Sequence, residues 1–157
     1  MPKFMRPVKS KKISDTFADH KARGSVNPGV DYVVPVGTPV FAIGDGVVDG
    51  VTTSVSGAGG RMVWLNCDGW KVDYLHLSKV SVKKGQRVKR GDVLGLSGGS
   101  GLGKELGYGP HLHIALRKGG SHVNGAGNKD LFAILKRQRA ARLAAAAKPV
   151  TPPKGSE

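Results

Sequence analysis

The sequence predicts a mainly β fold: a compact antiparallel β-sheet domain followed by a C-terminal helix. Three observations carry this expectation. Twenty-four glycines and nine prolines punctuate the 157 residues, too often for the long periods of a helical bundle. Between them stand short runs of Val, Ile, Leu and Tyr bounded by turn residues, which is how strands read. Only near the end does the pattern turn helical, with Leu131, Ile134 and Leu135 spaced i, i+3, i+4. The length suits one domain with a normal core. Cys67 is the lone cysteine. An internal disulfide and a cysteine-rich zinc finger are therefore excluded, and a metal site must draw on His, Asp, Glu or Asn.

Taken in order, residues 1–12 read as a flexible basic arm carrying Lys3, Arg6, Lys9, Lys11 and Lys12. Residues 13–30 read as an irregular polar entry loop containing Gly24, Pro28 and Gly29. Strands are expected at 31–34, ended by Pro35, at 40–43 after the turn Gly37-Thr38-Pro39, and at 47–51 after Gly44-Asp45-Gly46. A hairpin joins 61–65 to 71–75 around Asn66, Cys67, Asp68 and Gly69. Val88 and 93–96 flank a charged turn, and 111–116 is the last strong strand, so the main domain spans 13–128. Asn128 suits an N-cap and Asp130 a first turn, which predicts a basic, Ala-rich helix over 129–147. Pro149, Pro152 and Pro153 stop it, leaving 148–157 as a disordered Pro-rich tail.

The formal charge of +14 favours polyanionic partners: nucleic acid, anionic lipid or anionic wall polymers. It gathers at the two ends, the second including Lys136, Arg137, Arg139, Arg142, Lys148 and Lys154. Such segments are either solvated tails or a binding surface. Aromatic residues make up 6% and no recognition motif is present, which argues against specific nucleic-acid binding. There is no apolar run long enough to span a membrane, and the start lacks the apolar segment of a signal peptide. A monomer is expected. The glycines at 98–109 do not form a phosphate loop, because Lys104 is followed by Glu105 rather than Ser or Thr.

The chemistry centres on His111-Leu112-His113. Residues two apart on a strand face the same side, so both imidazoles can enter one site, one to bind a metal and one to handle protons. Such a pair also occurs on exposed strands without any function. Its neighbours strengthen it: Gly107-Tyr108-Gly109-Pro110 bends the chain just before, Tyr74-Leu75-His76-Leu77-Ser78 brings another histidine, and Pro28-Gly29-Val30-Asp31-Tyr32 brings an acid where loop becomes strand. His122, in Gly119-Gly120-Ser121-His122, reads as a surface-loop residue, and Cys67 as structural.

These blocks, with Pro35-Val36-Gly37-Thr38-Pro39-Val40-Phe41-Ala42, Asp45-Gly46-Val47-Val48 and the hairpin from Val82 to Gly95, resemble those of lysostaphin-type metallopeptidases in content and order. The resemblance covers about residues 13–117. It implies the fold known as a duplicated hybrid motif, a Zn²⁺ cofactor and a peptidoglycan substrate. It implies Asp31 and His113 as zinc ligands and His76 and His111 as catalytic histidines, with Tyr74 and Tyr108 as minor candidates for holding an oxyanion. A catalytic zinc takes three protein ligands and keeps a fourth position for water. The family's first ligand, a histidine, stands four residues before the Asp; here that residue is Asn27. Phe17-Ala18-Asp19-His20 resembles a phage-lysin variant in which the histidine arrives earlier, and it implies His20 as the third ligand. The alternatives are Asn27 itself, or a metal-poor homologue that serves as a wall-binding or structural module. The hairpin also resembles biotinyl or lipoyl carriers, but its tip has no modifiable lysine in the carrier setting. A lysin without an export signal is expected in the host cytoplasm before release to the wall, or in a virion.

Overall fold

A computed structural model describes residues 1–122, 125 and 127–148. Its strands are β1 (Ile13–Asp15), β2 (Val30–Tyr32), β3 (Pro39–Phe41), β4 (Gly46–Thr52), β5 (Arg61–Cys67), β6 (Trp70–Val80), β7 (Arg87–Val88), β8 (Val93–Ser97), β9 (Leu112–Lys118) and β10 (Asn128–Lys129). Helix α1 (Phe17–Ala22) follows β1, and α2 (Leu131–Ala146) ends the fold. The strands pair antiparallel in the order β1-β2-β9-β6-β5-β4-β7. Strand β8 joins β6 and β3, and β10 pairs with the end of β9. Mainly β structure with a C-terminal helix is what the sequence predicts.

Alternation assigns the two faces. On β9, Leu112, Ile114 and Leu116 are buried in the core, which turns His113 to the opposite face. On β2, Val30 and Tyr32 enter the same core and Asp31 turns away from it. The β5–β6 hairpin closes through Asp68 (φ 52°) and Gly69 (φ 83°), two left-handed residues that match the twist of the strands on either side. Both strands run longer than the sequence reading gave them, right up to this turn.

The ends depart further from expectation. Residues 1–12 are not a free arm: Phe4 and Val8 are buried in the core, 2% and 1% exposed. Phe4 meets the edge of Trp70 at 5.7 Å, and its N–H donates to Gln138 Oε1. The Met5 N–H donates to the Ile43 carbonyl, and the Phe41 N–H to that of Pro7. The lysines and arginines had concealed two apolar anchors. The entry segment 13–30 is likewise ordered, holding β1, α1 and the start of β2. Helix α1 opens with a capping box: the Asp19 N–H donates to Thr16 Oγ1, and the Thr16 N–H to the Asp19 carboxylate.

The N-cap of α2 is Asp130, whose carboxylate accepts from the Ala133 N–H, rather than Asn128. Asn128 and Lys129, expected to begin the helix, pair instead with Arg117 and Leu116 of β9. Leu131 and Ile134 bury against the core, while residues from Arg139 onward are exposed. Apart from Lys148, the expected tail at 148–157, including Pro149, Pro152 and Pro153, lies outside the described residues. Among the described residues no helix is long and apolar enough to cross a membrane.

Replacing Phe4 by Ala tests the anchoring of the N-terminal segment. The expected cost is about 3–5 kcal/mol, the usual loss for a buried Phe, read from chemical denaturation; a flexible arm would show no change.

Candidate metal centre and active site

Register builds the site. Asp31 on β2 lies directly opposite His113 on β9, and His113 directly opposite Leu75 on β6. His113 Nδ1 is 2.8 Å from Asp31 Oδ1, and its Nε2–H donates to the Asn27 carbonyl at 2.9 Å. The chain can run this close only at Gly29, where an added Cβ would stand 2.2 Å from the Ile114 carbonyl oxygen and 3.0 Å from His113 Nε2. Helix α1 supplies His20, 5% exposed. Its Nδ1–H donates to the Thr16 carbonyl at 2.8 Å, and its Nε2 lies 3.4 Å from Asp31 Oδ2. Ligand atoms of His20, Asp31 and His113 all fall within 4.8 Å of one another.

These donors fit a divalent ion. Backbone carbonyls only accept hydrogen bonds, so each tethered nitrogen carries the proton and the other presents a lone pair. A lone pair on His113 Nδ1 set against a carboxylate oxygen is repulsive unless a cation lies between them. Two imidazoles and a carboxylate with open space beside them suit a catalytic metal. Burial would raise the Asp31 pKa, but when the facing imidazoles are doubly protonated the hydrogen bond and charge of His113, with the charges of His111 and His20, outweigh it and hold the carboxyl below its ordinary value; a metal ion would take the place of the proton on His113 Nδ1. Asp15, also 3.4 Å from His20 Nε2, is paired through both oxygens with Arg23.

Asn27 is not turned toward this centre. Its Nδ2 donates to Asp73 and its Oδ1 accepts from Asn128. The structure thus brings together His20, Asp31 and His113, and leaves the Asn27 side chain outside.

Two more histidines stand beside the trio. His111 Nδ1–H donates to the Gly109 carbonyl, and its Nε2 lies 3.9 Å from Asp31 Oδ1. His76 Nδ1–H donates to the Ser100 carbonyl at 2.9 Å. The His76 and His111 rings are 4.8 Å apart. His76 takes a left-handed φ of 64° in the middle of β6, where the register against β5 shifts between Tyr74 and Leu77. Burial pushes its pKa down to about 4, so the ring is neutral near pH 7 and its Nε2 presents a lone pair. An open groove of about 440 Å³ runs over these residues, with Val26, Met62, Leu75 and Tyr108 along it.

The model of peptidase family M23 matches residues 25–125. The chain belongs to peptidase family M23. It is 44% identical over 124 residues to peptidoglycan DD-endopeptidase ShyA of Vibrio cholerae, covering 75% of this chain and 28% of that protein. Among solved structures it resembles the catalytic domain of the antimicrobial peptidase lysostaphin from Staphylococcus simulans, at 29% identity and a TM-score of 0.61, covering 85% of this chain and 89% of that one. A zinc-containing peptidase from Vibrio cholerae aligns at 31% identity and a TM-score of 0.64, over 83% of this chain and 39% of that one. The chain spans 22–28% of the length of the first curated relatives it matches. His20 lies upstream of the residues the M23 model matches.

Other assignments change within this M23 domain. Tyr74 belongs to the core: it is fully buried, its hydroxyl accepts from the Ile43 N–H, and burial raises its pKa. Tyr108 does reach the site, its ring 4.4 Å from that of His76, but its hydroxyl donates to the Ala58 carbonyl. His122 is not a free surface residue. Its Nδ1 lies 2.5 Å from Asp73 Oδ1, its Nε2 2.8 Å from Asp49 Oδ2, and its ring stacks on Trp64 at 5.6 Å. Nothing in the local sequence marks this, because Asp49, Trp64 and Asp73 meet only when β4, β5 and β6 pair. Cys67 is buried, and burial raises its thiol pKa to about 12, in line with a structural role.

Metal analysis of purified protein checks the trio. His20→Ala is expected to lose most of the bound metal, and unchanged metal content would remove His20 from the site. His122 gives a pH test. Burial opposes its charge, but Asp73 and Asp49 outweigh that and raise its pKa above the ordinary 6.5. Its contribution is therefore complete below the unfolded value and lost as pH rises through the folded one. In chelator, the gap in melting temperature between the parent and His122→Gln should narrow as the pH is raised above the ordinary histidine value of 6.5; a constant gap would show that the charge adds nothing.

Proposed function

We propose that this chain is a zinc-dependent endopeptidase that hydrolyses peptide bonds in bacterial peptidoglycan. The observation that carries the reading is the convergence of His20, Asp31 and His113 in an open groove, with His76 and His111 at their side. Zinc held by the trio would polarise the scissile carbonyl and lower the pKa of a water molecule toward ~7. His76 and His111 supply the proton handling. Each has one nitrogen fixed to a carbonyl and the other bare, so the pair accepts the proton of the attacking water and returns it to the leaving amine. The Tyr108 ring packs on His76 and limits its swing.

The alternative is an inactive family member that binds wall. It draws on Asn27 standing where the family's first ligand belongs, and the position of His20 Nε2 beside Asp31 weighs against it. The finer reading is a phage lysin or virion-associated lysin acting as a monomer, held in the host cytoplasm before release; the segment around His20 supports it by resemblance. Exposed Lys136, Arg137, Arg139 and Arg142 on α2 would contact anionic wall polymers, more weakly as salt rises.

Purified peptidoglycan tests the activity. The protein should clear it and release new amino termini visible by mass spectrometry. A chelator or His111→Ala should reduce clearing by at least about a hundred-fold, the lower range for a proton-transfer group. Intact wall in the presence of zinc-loaded protein would favour the wall-binding alternative.

A further inference from the structure

We propose that Asn27 is a positioning residue that holds the metal ligand His113 through its main-chain carbonyl, with Asp73 and Asn128 as its anchors. The inference rests on the reading that His113 binds the ion. Both functional groups of the Asn27 side chain are occupied on the side away from the metal centre. Its Nδ2 donates to Asp73 Oδ2 at 3.2 Å, and its Oδ1 accepts from Asn128 Nδ2 at 2.7 Å. The same residue turns its carbonyl to His113 Nε2–H at 2.9 Å. That bond fixes the proton on Nε2 and leaves Nδ1 bare, 2.8 Å from Asp31.

The anchors sit on strands paired with the ligand's own strand. Asp73 is 3% exposed and pairs with Ala115 of β9, two residues after His113. Asn128 on β10 pairs with Arg117 of the same strand. Asn128 also donates to the Pro28 carbonyl at 2.9 Å and accepts from Arg117 Nη1 at 2.8 Å. The loop carrying the Asn27 carbonyl is thus measured off β9 from both sides, and β9 carries the ligand. Gly125 packs on the same loop so closely that an added Cβ would lie 2.0 Å from the Val26 carbonyl oxygen.

An amide suits this position because it donates to a carboxylate and accepts from an amide at once. A carboxylate at 27 would face that of Asp73. A residue without polar atoms would leave the carbonyl unaimed, and would leave Asp73 with His122 as its remaining described side-chain partner. The position that resembles a ligand site has become the support of another ligand, while His20 enters from α1.

The test measures zinc affinity by competition with a chromophoric chelator, and the visible spectrum of the cobalt-substituted protein. Asn27→Ala and Asn27→Asp should bind zinc about ten- to a hundred-fold more weakly than the parent, the usual penalty for losing such a support, with a shifted cobalt band. Asp73→Asn keeps an acceptor for the Asn27 amide and should stay near the parent. Val48→Ala, in the core on β4, should lower stability without moving zinc affinity. His20→Ala combined with Asn27→His should not regain zinc. If an Asn27 variant fails to fold, Asn128→Ala removes one tether and should lower affinity in the same direction. Parental affinity and spectrum in folded Asn27 variants, or zinc binding regained by the His20→Ala, Asn27→His protein, would overturn the proposal. The readout is zinc affinity rather than wall cleavage, so failure of this inference and failure of the proposed activity give different results.

Discussion

The pairing of β2 with β9 is the constraint on which the site depends. Each strand offers the centre one side chain, Asp31 and His113, and the ladder sets them opposite each other. Side chains alternate with period two, so a slip of one residue would drive Asp31 into the core and Val30 or Tyr32 into the groove. Register is held by the apolar face: Val30, Tyr32, Leu112 and Ile114 are all within 1% of complete burial. The geometry of the polar face is therefore a by-product of hydrophobic packing on the other. Burial of several large side chains resists slippage far more strongly than any hydrogen bond within the site.

His76 shows the same dependence by breaking the rule. Trp70, Val72 and Tyr74 keep strict alternation into the core, and Leu77, three residues beyond Tyr74, is fully buried as well. A regular strand cannot place residues three apart on one face. The left-handed turn at His76 absorbs the odd residue, and both Leu75 and His76 then reach the groove. A non-glycine residue held there costs about 1–3 kcal/mol. The Gly59 carbonyl accepting its N–H and the burial of Leu77 hold it in place. The strain falls on the residue whose ring must stand beside His111.

Local pattern made much of this legible. Turn residues and apolar runs gave the β character and the β5–β6 hairpin, and the two-residue spacing of His111 and His113 gave their common side. What was missed needed tertiary information or a weaker signal. Phe4 and Val8 sit among lysines and arginines, so composition hid their burial. Helix α1 is six residues long, too short for periodicity, although Thr16-x-x-Asp19 was present as a capping box. Asn128 is a good cap in isolation, but Arg117 and Asn27 claim its side chain. Tyr74 lies two residues before His76 and would share its face on a regular strand; only the bulge separates them.

The five histidines divide by what their tethers are. In His20, His76, His111 and His113 one nitrogen meets a backbone carbonyl, a group that cannot ionise and can only accept. The proton is pinned at one end of each ring, and the other end is left as a lone pair aimed into the site. His122 has no such free end: both nitrogens meet carboxylates, which favour the doubly protonated ring. When doubly protonated, a ring with both nitrogens engaged neither ligates a metal nor accepts a proton. The oxygens opposite the rings thus set the four histidines that can present a lone pair to the groove apart from the one held as an electrostatic clasp, and that division follows only once the fold has brought Asp49 and Asp73 to His122.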